Sequence, residues 1–149
     1  MTLLRIIVAA SLFVFAGLPA GAQPSVEHLQ IVTSSGSHEF EVEVMRSRPD
    51  LEQGLMFRRS MADDRGMLFD FKTSQLVTMW MKNTYLPLDM VFIDAKGKVI
   101  NVAHDAEPLS ETIIPSGGPT RGVLEVNAGI ADRIGLKVGD MVHASIFTK

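Results

Sequence analysis

The chain has no cysteine and only one tryptophan and one tyrosine. Without thiols, disulfides, thiolate metal sites and cysteine nucleophiles are all excluded, and the fold must rest on packing alone. Basic residues are few and dispersed: 14 Lys and Arg against 17 Asp and Glu give a formal charge of −3. Nucleic-acid affinity comes mainly from phosphate neutralisation, so a mildly acidic chain with no basic run argues against that partner. No Gly-x-Ser-x-Gly elbow and no phosphate-binding loop occur. The four histidines, His28, His38, His104 and His143, are scattered without helical or strand spacing, which gives zinc no framework.

Long apolar runs are also missing, apart from one at the N-terminus. Arg5 precedes an uncharged stretch from Ile6 to Leu18, then Pro19 and the small residues Ala20-Gly21-Ala22. This is the pattern of an export signal over residues 1–22, cleaved after Ala22. The apolar stretch falls short of the roughly 20 residues that span a bilayer, so no membrane span is expected once the signal is removed. With no cysteine after it, lipid anchoring is excluded. The expected product is an exported protein, periplasmic or extracellular, with residues 23–149 as one domain.

What remains is rich in short alternating runs. Leu29 and Ile31 alternate with polar residues, and Ser34-Ser35-Gly36-Ser37 supplies turn chemistry. In His38 to Val44, Phe40, Val42 and Val44 share one face while Glu39, Glu41 and Glu43 share the other, predicting a hairpin. Ser47-Arg48-Pro49-Asp50 reads as a capped helix start, with Leu51 and Leu55 on one stripe and Gly54 keeping the helix short. Further strands are expected at Met67 to Phe71, Val77 to Lys82, Leu88 to Ile93, Val99 to Val102, Val123 to Val126 and Met141 to Phe147. A long loop covers 107–121, with a short strand at Thr112 to Ile114. Asn127 is positioned to cap a second short helix that ends at Gly135. These elements predict a mostly β, single-domain antiparallel β-sandwich or barrel with two short helices.

Four islands carry a resemblance. They are Gly54-Leu55-Met56-Phe57-Arg58, Gly66-Met67-Leu68-Phe69 with Phe71, the segment Trp80 to Ile93, and Val123-Leu124-Glu125 with Ala128-Gly129 and 135–140. Together they are similar to the domain of unknown function 192 family, a bacterial and archaeal group with no established activity. The similarity runs from about Phe40 to Val142, and the WMKNT…PLD string is its specific part. It implies a compact all-β domain and assigns no catalytic residue.

The segment Trp80 to Asp94 is the richest in chemistry. In an extended strand Trp80 and Lys82 share one side, about 7 Å apart, with Met79 and Met81 on the other. Trp80, Lys82, Asn83 and Asp89 then form either a ligand pocket, with an indole platform and a cationic anchor, or a structural network satisfying a turn. Arg58 and Glu125 form a second candidate pair: Glu125 stands in an apolar strand and wants a partner, and Arg58 offers a bidentate one. A buried ion pair, a site carboxylate with a raised pKa and simple exposure all fit that pattern. Met79 and Met81, with Met90 across the sheet, fit Cu(I) chemistry or, more simply, core packing.

The reading that follows is a non-enzymatic binding module for a small polar, anionic or sugar-like ligand, with Trp80, Lys82, Asn83, Asp89, Arg58 and Glu125 as ligand-binding residues. It includes no cofactor, no metal and no catalytic residue. The rivals are an envelope protein that binds a protein partner through a strand edge or the 107–121 loop, and a hydrolase using Asp89 or Glu125.

Overall fold

A computed structural model describes residues 24–147; the export signal expected over residues 1–22 lies outside the described residues. The alternating runs at the start become a long hairpin. Strand β1 (Ser25–Thr33) pairs antiparallel with β2 (Gly36–Met45), and Phe40, Val42 and Val44 are buried as their spacing requires. A short helix α1 (Arg48–Gln53) follows, with Ser47 accepting from the Asp50 amide at 3.3 Å. Strands β3 (Arg65–Gln75), β4 (Thr78–Met79), β5 (Leu88–Ile93), β6 (Val99–Ala106), β7 (Ile114–Pro115) and β8 (Thr120–Asn127) come next. Helix α2 (Ile130–Arg133) and strand β9 (Met141–His143) complete the main elements.

Seven strands form one sheet in the order β6-β5-β8-β3-β2-β1-β9, and β4 with β7 forms a separate two-stranded ribbon. Every named pairing is antiparallel except β2 with β3. The sheet curls so that its two edges touch at one point. Lys98 bridges to Met141, the Val142 amide donates to the Gly97 carbonyl at 2.7 Å, and the Val99 amide donates to the Asp140 carbonyl at 2.9 Å. Gly97 makes that approach possible, since a Cβ there would lie 2.4 Å from the Val142 carbonyl oxygen. The result is a half-barrel, the barrel-like member of the two architectures expected.

Each face of the sheet carries its own core. The inner face packs Leu29, Ile31, Val42, Leu68, Val91, Leu124 and Val126 under α2. The opposite face packs Met67, Phe69, Met90, Phe92 and Val123 beneath Leu55, Met81 and Leu86. Strands β5 and β8 are therefore buried on both sides, which explains their near-continuous apolar sequence.

Three local expectations are corrected. Asn127 does not cap α2: it ends β8, and its amide donates to the Met61 carbonyl and to Asp63. Gly129 occupies the cap position and has no side chain to offer. The acceptor comes from β5 instead, where Asp89 takes the Ala131 amide on Oδ2 and the Asp105 amide on Oδ1, both at 2.9 Å. The short strand in the long loop falls at Ile114–Pro115 rather than 112–114. The last strand stops at His143 and gives way to a 3-10 turn, Ser145–Phe147.

Asp89 is fully buried, so its removal strands two backbone donors. Asp89→Ala is expected to cost about 2–4 kcal/mol in urea unfolding, against under about 0.5 kcal/mol for Lys82→Ala at the surface. Equal effects of the two substitutions would contradict this placement.

Candidate functional site

Alternation along β8 determines where its one acidic residue goes. Leu124 and Val126 enter the inner core, so Val123 and Glu125 must enter the opposite one. In register, Glu125 faces Met67 of β3 on one side and Met90 of β5 on the other. Its side chain is buried, the residue being 4% exposed, and among the described residues it has no hydrogen-bond or ionic partner. Burial alone pushes its pKa from 4.5 up to about 8. At neutral pH the group is therefore mostly the protonated acid.

A cavity of about 390 Å³ opens beside this carboxyl. Its walls are 51–56 from α1 and the turn after it, Phe69 and Phe71 of β3, Thr78, Met79 and Trp80, and Thr84 with Ile113. The walls are mainly apolar. Gly54 sets the approach of α1 to the sheet: its φ is +49°, and a Cβ there would lie 2.9 Å from the Phe69 ring.

Next to the lining residues Met56 and Thr84 the backbone is unusual. Phe57, Asn83 and Leu109 all have positive φ, which costs a non-glycine residue roughly 1–2 kcal/mol. They are tied together: the Phe57 amide donates to the Asn83 carbonyl at 2.9 Å, and the Leu109 amide donates to the Thr84 carbonyl at 3.0 Å. The Met81 amide donates to the Ser110 carbonyl at 3.0 Å, fastening the tryptophan segment to the long loop. Strain held by surrounding hydrogen bonds is characteristic of binding sites.

The six residues singled out in the sequence do not all meet here. Trp80 and Glu125 line the cavity. Lys82 touches Trp80, its ammonium 5.0 Å from the ring centroid, and lies 3.8 Å from Glu111, but it is not part of the cavity wall. The strand expected over Val77 to Lys82 stops at Met79, so its alternation does not carry through: Met79 is half-buried and lines the cavity beside Trp80, while Met81, beyond the strand, is buried. Asn83 sits behind the wall, its amide 3.9 Å from the Met56 sulfur.

Asp89 and Arg58 are corrections. Asp89 lies on the opposite sheet face, because it is one residue out of phase with Leu88 and Met90, and both its oxygens are taken. Arg58 pairs with both carboxylate oxygens of Glu43, not with Glu125. That hydrogen bonding holds Glu43 below the usual carboxylate range, and the pair lines a separate, more polar depression of about 450 Å³. Among the described residues, no group of three His, Asp or Glu is placed to hold a metal ion.

The sequence model of DUF192, described as an uncharacterised family, matches residues 30–144. The chain belongs to the DUF192 family. A solved protein from Sinorhizobium meliloti 1021, described as a proposed transcription regulator, is 44% identical, with a TM-score of 0.81 over 85% of this chain and 99% of that one. A protein of unknown function from Novosphingobium aromaticivorans DSM 12444 is 39% identical, with a TM-score of 0.78 over 86% of this DUF192 chain and 94% of its own. No curated protein matches the chain.

Sequence reasoning missed most of the cavity wall. Leu55, Phe69 and Phe71 read as ordinary core, and only the glycine at 54 marked α1 as a place of close approach.

Because the folded state holds Glu125 protonated up to about pH 8, it binds more protons than the unfolded chain between about 4.5 and 8. This group's contribution to stability is therefore full below the unfolded value and falls as pH rises through that window. Glu125→Gln is expected to abolish the fall and to raise the melting temperature at pH 8.5 by about 5 °C or more. Parallel pH profiles of the two proteins by scanning calorimetry would contradict it.

Proposed function

We propose that this chain is an exported, non-enzymatic binding protein whose cavity takes one small, mostly apolar molecule bearing a single polar group. The observation that carries this reading is Glu125, a buried carboxyl without a partner beside an open cavity. The oxygens of Glu125 are not sealed from the cavity, so a ligand there can supply the hydrogen bond that the surrounding side chains do not. The cavity volume and its few polar wall groups suit a small molecule. Export rests on the N-terminal pattern of residues 1–22.

The ligand inferred from the walls differs from the anionic or sugar-like one inferred from Lys82 and Asn83. Both those side chains stand outside an apolar lining, so they give the occupant no anchor. Two-carboxylate hydrolysis also loses support, since the oxygens of Asp89 are engaged by backbone amides. The regulator description attached to the Sinorhizobium relative has little to draw on here. Arg46, Arg48, Arg58, Arg65, Arg121 and Arg133 each pair with a carboxylate of the same chain.

One further observation favours a protein partner as the second reading. Phe57, Tyr85 and Leu109 are exposed and adjacent, with the Phe57 and Tyr85 rings 6.3 Å apart and the Arg59 guanidinium 5.5 Å from the Tyr85 ring. Exposed apolar groups that cluster mark interaction surfaces more often than scattered ones do.

The apolar fluorophore N-phenyl-1-naphthylamine tests the principal reading. Its emission should rise saturably with one site per chain, and Met79→Trp, which fills the cavity from its wall, should weaken binding at least about tenfold. Non-saturating uptake, or equal affinity for Met79→Trp, would leave the cavity without a binding role.

A further inference from the structure

We propose that the occupant of the cavity is an organic cation, a primary or secondary ammonium on an apolar body, with Glu125 as its counter-ion. This rests on the reading of the cavity as a ligand site and names the chemistry of the ligand.

The charge inventory of the walls is one-sided. Glu125 and Glu52 are acidic; Gln53, Thr78 and Thr84 are neutral and polar; no lysine, arginine or histidine is among the lining residues. The nearby cations are engaged elsewhere, Arg58 with Glu43 and Lys82 with the outer tryptophan ring and Glu111. Glu52 is already paired with Arg48 at 2.7 Å, so among the described residues Glu125 is the one lining carboxyl without a partner, and an anionic ligand would meet it with no positive group on the wall. An ammonium would find the reverse, and its N–H donors match the free oxygens of Glu125.

The apolar walls point the same way. Phe69 and Phe71 supply aromatic side chains, and Met56 and Met79 polarisable thioethers, all of which favour a soft organic cation. The folded protein already fixes the carboxyl at the cavity wall, so once it is ionised an incoming ammonium gains a charge-assisted bond against a prearranged partner. Such bonds are about twice as strong as the neutral one that a protonated Glu125 could donate to an alcohol or carbonyl.

Pairing requires that Glu125 ionise. At neutral pH its proton leaves to solvent as the ammonium enters, so one proton is released per ligand bound and no covalent bond changes. Glu52 on α1 is the one other titratable group on the lining; Met67 and Met90 face Glu125 from β3 and β5. Affinity should therefore rise by about tenfold per pH unit from 6 towards 8 and then level off.

The test is calorimetric titration of the purified chain with 2-phenylethylammonium and with its neutral analogue 2-phenylethanol, in buffers of different ionisation heat. The expected result is ammonium binding at least about tenfold tighter at pH 8, with close to one proton released at pH 7. Glu125→Gln should reduce ammonium binding to the level of the alcohol and remove its pH dependence, with an unchanged circular-dichroism spectrum reporting an intact fold. Alcohol binding as tight as ammonium binding would overturn the cation inference and leave the cavity reading standing. Ammonium preference that survives in Glu125→Gln would overturn Glu125 as the counter-ion. Absence of heat from either compound would overturn both readings together.

Discussion

Strand β8 runs through the centre of the sheet, between β5 and β3, and is buried on both faces. A strand in that position has no solvent side, so every residue must enter one core or the other. Period-two alternation leaves Glu125 no choice but the face it shares with Val123. The neighbours it meets there, Met67 and Met90, cannot donate a strong hydrogen bond. The roof over that face is incomplete. Helix α1, the β4–β7 ribbon and the tryptophan segment close around a cavity instead of filling it, and the carboxyl lies at its wall.

Three buried carboxyls in this protein show how much environment decides. Asp89 is saturated by two backbone amides and holds the start of α2. Burial alone would raise Asp70, yet hydrogen bonds from Lys72 and Arg121 hold its pKa below the ordinary value. Glu125 has burial without compensation, so it moves the other way. Structural carboxyls are normally found in the first two conditions. The third costs stability above about pH 5, and a site that draws on that instability to hold a ligand is a physical reason for its presence.

Much of the fold was legible because it follows from local pattern. The Glu39–Val44 alternation gave the first hairpin, Ser47 and Pro49 gave the start of α1, and the phase of Val123 to Val126 gave the direction of Glu125. Partner choice was not legible. Arg58 takes Glu43 because β2 and β3 run side by side in parallel and bring the end of β2 near the turn after α1. Asp89 reaches the Ala131 amide across 42 positions of sequence, an interaction that no local cap rule can see. The phase argument that succeeded for Glu125 would also have separated Asp89 from Trp80, since Asp89 is one residue out of step with Leu88 and Met90. The cavity was invisible for a different reason: it is defined by what α1 and the ribbon fail to fill, and residues such as Leu55 and Phe69 look the same in sequence whether they pack or line a space.

The account stands on the state of one carboxyl. Direct titration of the Glu125 side-chain carbon by NMR, with Glu125→Gln to assign the resonance, measures that state without reference to ligand or stability. The expected midpoint is near pH 8. A midpoint in the ordinary glutamate range, near 4.5, would mean that the group is solvated or paired, and the cavity would lose the feature that marks it as a site.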